Sequence, residues 1–204
     1  MWITLKLLPS SICMAENLER LETYISSLVK DLFAEKRQKG KISLVHDIDH
    51  VKAVADYGST AAEFFASKHN LSPEERKRIS KVAAVTGWCH DIVREATETS
   101  PHGSECKKYL ERLYNIDHTI PFLVSEETWN IIGDVVGSHE LGFDAITEKY
   151  ENRPIPELCI AQGIVVGDKL VEASGPRVLE RRSFLLRSHS KYFLSYLGIL
   201  SNKS

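Results

Sequence analysis

Cysteine is scarce in this chain, and its cysteines lack the spacing of common metal-binding or disulfide motifs. Four cysteines are present among 204 residues, and no two of them form a C-x-x-C pair. They are Cys13, Cys89, Cys106 and Cys159. This pattern argues against a zinc ribbon and against a small secreted scaffold held by disulfides. It is typical of a reducing compartment, and we therefore predict a cytoplasmic protein.

Surplus positive charge and long apolar runs are missing as well. Lysine and arginine total 26 against 28 aspartates and glutamates, which gives a formal net charge of −2. Without a basic field, a nucleic-acid duplex is not an expected partner. No apolar run approaches the length of a membrane span, so a membrane is not an expected partner either. The hydrophobic content of 43% and the length of 204 residues fit one globular domain.

The first fourteen residues do not follow the pattern of a signal peptide. Residues 1–13 are mildly apolar, but Lys6 interrupts them. They lack a charged leader followed by a sustained apolar core, so we do not expect a signal peptide. Met14 directly precedes a strong helical pattern. We therefore separate a segment 1–14, which is an over-extended start, a flexible arm or a packed lead-in, from a helical domain over residues 15–204.

Apolar residues recur at helical spacing along most of this domain. The pattern predicts helices over residues 15–37, 46–69, 73 to about 90, 106–113, 126–139 and 156–168, and a last helix that ends near 197. A basic stretch, 36–41, and a polar segment, 142–156, are predicted to be loops. The β-branched residues in 158–168 could also form a buried strand, but the chain offers no second strand of similar quality. We therefore predict an all-α, single-domain helical bundle.

Several of these helices carry a polar residue near one end, next to apolar neighbours. The six residues are His50, His90, Asp91, His102, His139 and Asp168. A buried charged carboxylate is costly unless something pairs with it. Imidazoles and carboxylates together suit Mn, Fe, Ni, Co or Zn, and Mg at a carboxylate-dominated site. We expect these residues, which come from different helices, to converge on a divalent metal and to connect the bundle through it.

Taken singly, four of these residues also have simpler interpretations. His50 could cap the start of a helix, and His102 could be a loop histidine beside a proline. His139 could be a favourable charge at a helix C-terminus. Asp168 could pair with Lys169 or Lys191.

A protease-type zinc site is a further alternative, because His46 and His50 have the H-x-x-x-H spacing. That motif needs a glutamate directly after its first histidine, whereas Asp47 stands there. We therefore set this alternative aside.

The order of these residues resembles the HD-domain superfamily of metal-dependent phosphohydrolases, and the resemblance covers about residues 46–182. It is strongest to small single-domain bacterial and archaeal members. His50 is similar to the family's first ligand histidine, and His90-Asp91 to its signature doublet with a basic residue, Arg94, behind it. Asp168 is similar to the final ligand. The resemblance implies an HD-type helical fold and one metal ion held by His50, His90, Asp91 and Asp168.

His102 and His139 match positions where several HD subfamilies carry extra histidines. The resemblance implies that these residues bind a second metal or the substrate phosphate, so one or two metal ions are expected. One departure is Ala53, since many similar members have arginine three residues after the first ligand histidine. This departure puts the role of that arginine in doubt here.

The implied activity is hydrolysis of a phosphate ester, as a phosphomonoesterase or phosphodiesterase, in a nucleotide or another small phosphorylated metabolite. Asp91 and Asp168 would hold the metal, one of them would also accept a proton from the attacking water, and His102 or His139 would protonate the leaving oxygen. Arg94 would grip a phosphate oxygen, unless it forms a surface ion pair with Glu95 or Glu98. Lys169 and Arg177 are weaker candidates for phosphate contacts.

Two other functions stay open at this point. One is a catalytically silent regulatory module that binds metal or nucleotide, and the other is a purely structural helical domain. The oligomeric state is open too, with a homodimer among the alternatives.

Overall fold

A computed structural model describes residues 16–42, 46–95 and 102–173. Within these ranges the chain forms eight helices and no strand, which confirms the all-α prediction for this part of the chain. The helices are α1 (Leu18–Gln38), α2 (Ile48–Lys68), α3 (Pro73–Cys89), α4 (Gly103–Ile116), α5 (Ile120–Leu123), α6 (Glu126–Val136), α7 (Phe143–Tyr150) and α8 (Ile155–Ala173). None of them is long and apolar enough to cross a membrane. The segment 1–14, the last predicted helix, Arg177 and Lys191 lie outside the described residues.

Helix starts are fixed by side chains that accept hydrogen bonds from exposed backbone amides. The Asp47 carboxylate caps α2 by accepting from the N–H groups of Asp49 and His50. Ser72 and Glu75 form a reciprocal capping box at the start of α3. Such caps satisfy amides that have no partner within the helix. At α2 the cap also fixes the turn that carries His50.

Helix α2 packs against α3 on one side and α8 on the other, and glycines make both contacts close. A Cβ atom on Gly87 of α3 would lie 2.5 Å from the Ala55 Cα. A Cβ atom on Gly167 of α8 would lie 2.6 Å from the Gly58 backbone nitrogen. Any larger residue at these positions would therefore force the helix backbones apart. Because Asp168 directly follows Gly167, this spacing determines how closely its carboxylate approaches α2.

Several predicted boundaries differ from the structure, and α5 was not predicted. Helix α4 covers Gly103–Ile116 rather than 106–113, and α8 continues to Ala173 rather than ending at 168. The polar segment predicted as a loop contains α7, which buries only two side chains, Ile146 and Tyr150. Two apolar positions in a short segment are too few to produce a clear helical period. Helix α6 ends at Val136 rather than at 139, because Gly137 forms its C-cap. His139 therefore lies in the turn that follows the helix.

Alanine substitutions at two helical glycines should shift stability in opposite directions. We expect Gly87→Ala to lower the free energy of unfolding by about 2–3 kcal/mol or more, since the new Cβ meets backbone that cannot rotate away. Gly133→Ala should raise it by about 0.5–1 kcal/mol, because alanine favours helix and its Cβ would meet only Lys107 Cγ at 3.9 Å. Urea denaturation measures both changes. Equal effects of the two substitutions would contradict the close contact between α2 and α3.

Candidate metal centre

Five histidines and two aspartates meet inside the bundle. They are His46, His50, His90, Asp91, His102, His139 and Asp168. They come from the start of α2, the end of α3, the residue before α4, the turn after α6, and α8. All of them are buried except His46, which is 11% exposed at its side chain. The structure thus brings together all six residues that the sequence analysis singled out.

Asp91 lies at the centre of this cluster, and its oxygen Oδ2 faces three imidazoles. The distances are 3.1 Å to His46 Nδ1, 3.7 Å to His50 Nε2 and 3.5 Å to His90 Nε2. The Asp91 side chain is only 1% exposed. These rings therefore replace water as the partners of a fully buried carboxylate.

The other oxygen of Asp91, Oδ1, faces a second set of groups. It lies 2.5 Å from His102 Nε2, 3.8 Å from His139 Nε2 and 3.5 Å from Arg94 Nη1. One carboxylate thus contacts two sets of imidazoles through its two oxygens. A carboxylate in this position can ligate one metal ion or two.

Asp168 closes the cluster on the side of α8. Its Oδ1 lies 3.4 Å from His50 Nε2, and His50 Nε2 lies 3.2 Å from His90 Nε2. Two imidazole nitrogens and a carboxylate oxygen therefore converge within the reach of a single ion. The predicted pair of Asp168 with Lys169 is also present, at 3.4 Å, and Lys169 Nζ donates to Glu172 as well.

The cluster contains three groups of donor atoms, and within each group all the donor atoms lie within 4.8 Å of one another. They are His46 with His50 and Asp91, His50 with His90 and Asp168, and Asp91 with His102 and His139. Histidine and carboxylate donors at this spacing could hold a divalent metal ion. That a metal binds there stays a prediction.

Hydrogen bonds outside the cluster fix two of the rings. His90 Nδ1 donates to the Gly87 carbonyl at 2.7 Å, and His139 Nδ1 donates to the Val136 carbonyl at 2.7 Å. A carbonyl oxygen only accepts, so Nδ1 must carry the hydrogen in both rings. The neutral imidazoles therefore present the lone pair of Nε2 to the centre, as metal ligation requires.

Burial and neighbouring groups lower the pKa values of two imidazoles, His90 and His139, and of both carboxylates. Burial, together with the neighbouring His90, lowers the pKa of His139 to about 4. Burial likewise lowers the pKa of His90. Burial by itself would raise the pKa of Asp91, but the attraction of His90 and hydrogen bonds from His102 and His46 hold it well below the ordinary value. Asp168 behaves in the same way, mainly through His50.

Arg94 and Lys169 stand at the edge of the cluster, and both were predicted to contact phosphate. The Arg94 side chain is 26% exposed, and one of its guanidinium nitrogens faces Asp91. The Lys169 side chain is 53% exposed beside Asp168. Both cations therefore have part of their surface in solvent next to the cluster. Glu98, one of the two partners proposed for Arg94, lies outside the described residues.

Three further residues at the site were missed in the sequence. From its spacing, His46 is a candidate only for a protease motif, yet in the structure it faces Asp91. Glu140 lies 3.0 Å from His102 Nδ1. The prediction that Lys36 lies in a solvated loop is wrong: it belongs to α1 and donates to the carbonyls of Ile92 and Arg94 at 2.9 and 3.0 Å. Only the adjacency of Glu140 to His139 could have drawn attention to it.

Comparisons with protein-family models, with curated proteins and with solved structures find no match to this chain. The family resemblance therefore stays a prediction, and the function has to be argued from the chemistry of the cluster.

The lowered pKa of His139 predicts how the stability of the metal-free protein depends on pH. Between about 6.5 and about 4 the unfolded chain gains a proton at residue 139, whereas the folded chain does not. Stability should therefore fall on acidification through this range, by up to about 1.4 kcal/mol per pH unit for one proton. The lowered pKa of His90 reduces stability on acidification in the same way. At lower pH, where aspartates of the unfolded chain gain protons, the lowered pKa values of Asp91 and Asp168 reduce it further.

Urea unfolding at a series of pH values, with a chelator present, measures this slope. His139→Gln should make it shallower, because the substitution removes one titrating group. His118→Gln is the matched control, since His118 is exposed, and it should leave the slope as in the wild type. Equal slopes for the wild type and His139→Gln would contradict the prediction.

Proposed function

We propose that this protein is a metal-dependent phosphohydrolase of the HD-domain type. Its substrate would be a phosphate ester, in a nucleotide or another small phosphorylated metabolite. The observation that carries the proposal is the position of Asp91, which faces imidazoles through both oxygens and has Arg94 beside it. The order of ligands along the chain, as in the HD-domain family, supports the same assignment.

The arrangement of the donors favours a site for one metal ion or two. His50, His90, Asp91 and Asp168 would hold the first ion, with His46 close to Asp91. Asp91, His102 and His139 would hold a second, and Asp91 belongs to both sets of donors. The high share of imidazole favours Mn, Fe, Ni, Co or Zn over Mg. The low pKa of His139, which keeps its ring neutral near pH 7, suits it to ligation better than to protonation of a leaving group.

The reaction requires charge compensation, because an anionic phosphate ester resists attack by a nucleophile. A divalent metal would supply positive charge for the phosphoryl group and lower the pKa of the attacking water. The Arg94 guanidinium, partly exposed at the edge, can bind two phosphate oxygens through its planar fork. The low pKa of Asp91 suits it to holding a metal ion as a carboxylate better than to accepting a proton. Lys169 would contribute a second positive charge beside the phosphate.

Substitution of Asp91 should remove metal and activity together. Asp91→Ala removes the charged group that both sets of imidazoles face, and Asp91→Asn does so with little change in volume. We expect metal affinity to fall more than about 100-fold, beyond the usual loss for residues outside the ligand shell. Elemental analysis and thermal shifts with Mn or Ni measure binding. Hydrolysis of nucleotides and generic phosphodiesters, assayed with several metals, measures activity.

Asp144→Asn is a suitable control, because Asp144 is exposed on α7, and it should behave as the wild type. Full metal content and full activity in Asp91→Ala would overturn the assignment. A wild-type protein that binds metal and nucleotide without cleaving any substrate would be the silent regulatory module. A wild-type protein that neither contains metal nor gains stability from Mn or Ni would be a structural domain.

Substitution of Arg94 should impair the substrate step without removing the metal. We expect Arg94→Met to raise KM or lower kcat by about 10- to 100-fold, because the substitution removes one or two charge-assisted hydrogen bonds to the phosphate. Arg94→Lys should restore only part of the loss, since lysine lacks the fork. Arg112→Met, at an exposed position, is the control. A parallel loss of metal content in Arg94→Met would show that Arg94 maintains the cluster and does not bind phosphate.

A further inference from the structure

We propose that Glu140 is a positioning residue that orients His102 toward the metal site. The inference rests on the proposed function, since it assumes that His102 is a ligand. It concerns a residue outside the donor groups, which contacts the ring of His102.

The two oxygens of the Glu140 carboxylate serve two different donors. Oε1 lies 3.0 Å from His102 Nδ1, and Oε2 accepts from the Gly103 backbone N–H at 2.9 Å. The His102 side chain makes no capping bond at the start of α4. Glu140 therefore supplies the cap from the turn after α6, where its negative charge also suits the positive end of the helix. Ring and backbone are fixed by the same carboxylate.

The backbone around this contact is closely packed. A Cβ atom on Gly103 would lie 3.0 Å from the Val136 carbonyl oxygen and 3.1 Å from that of Gly137. The start of α4 and the end of α6 are thus in close contact. This contact holds Glu140 against His102 and also places His102 near His139, with ring centroids 5.0 Å apart.

The consequence for the ring is that its two nitrogens have different partners. A charged carboxylate only accepts hydrogen bonds, so Nδ1 donates to Glu140, which leaves Nε2, 2.5 Å from Asp91 Oδ1, as the nitrogen that would bind a metal ion. His90 and His139 obtain the same arrangement from backbone carbonyls. His102 obtains it from a side chain, so a single substitution can test it without changing the backbone.

The test compares Glu140→Gln with the wild type, using Zn²⁺ as a diamagnetic probe. An amide has one acceptor oxygen where the carboxylate has two, so one of the two donors loses its partner. We expect zinc affinity at one of the metal positions to fall about 10- to 100-fold, as is typical when an outer partner of a ligand histidine is removed. Long-range proton–nitrogen NMR of the His102 ring should show an altered Nδ1 signal in the metal-free and the zinc-bound protein.

Glu148→Gln, an exposed position on α7, is the matched control and should leave both measurements unchanged. If Glu140 only caps α4, Glu140→Gln will lower the free energy of unfolding while zinc affinity and the His102 signals stay as in the wild type. That outcome would overturn the inference and leave the proposed function intact. A wild-type protein that binds no zinc would instead overturn both.

Discussion

The arrangement of the site depends on one buried negative charge. Asp91 has almost no contact with solvent, and its charge is balanced by the polar N–H and ring groups around it. A charged carboxylate in such a position would be unfavourable in an ordinary helical core, because it loses its hydrogen bonds to water and apolar side chains cannot replace them. It is stable here since five histidines approach it from four segments: the start of α2, the end of α3, the residue before α4 and the turn after α6. Every helix that carries or adjoins one of those histidines is therefore constrained in where it can lie.

Glycine at the helix contacts makes this convergence possible. Imidazole nitrogens and carboxylate oxygens can meet only when their helix backbones are close, and ordinary side chains would keep them apart. Gly87 allows α3 to approach α2, and Gly167 does the same for α8. Gly103 brings the start of α4 to the end of α6. The packing of the bundle and the chemistry of its centre thus depend on the same positions.

Much of the site could be predicted from the sequence, because polar residues in apolar helical surroundings stand out. His50 and Asp168 were identified for this reason, and they do lie together. Glu140 could not be identified, because its partners are brought to it by the contact of α4 with α6. Helix α7 was missed because only Ile146 and Tyr150 mark its inner face. The sequence pattern identifies polar residues among apolar neighbours. The residues that hydrogen-bond to them from other helices can be identified only once the packing of the helices is known.

Lys36 has a consequence for how such a site could diversify. It holds the carbonyls of Ile92 and Arg94 from α1, a helix that provides none of the clustered donors. The backbone that follows His90 and Asp91 is therefore held by a residue outside the cluster, while the Arg94 side chain stays partly exposed. Under the proposed function, a residue that would meet the substrate, such as Arg94, can then be exchanged while the clustered histidines and aspartates keep their places. The support of this backbone is separate from the donors that surround Asp91.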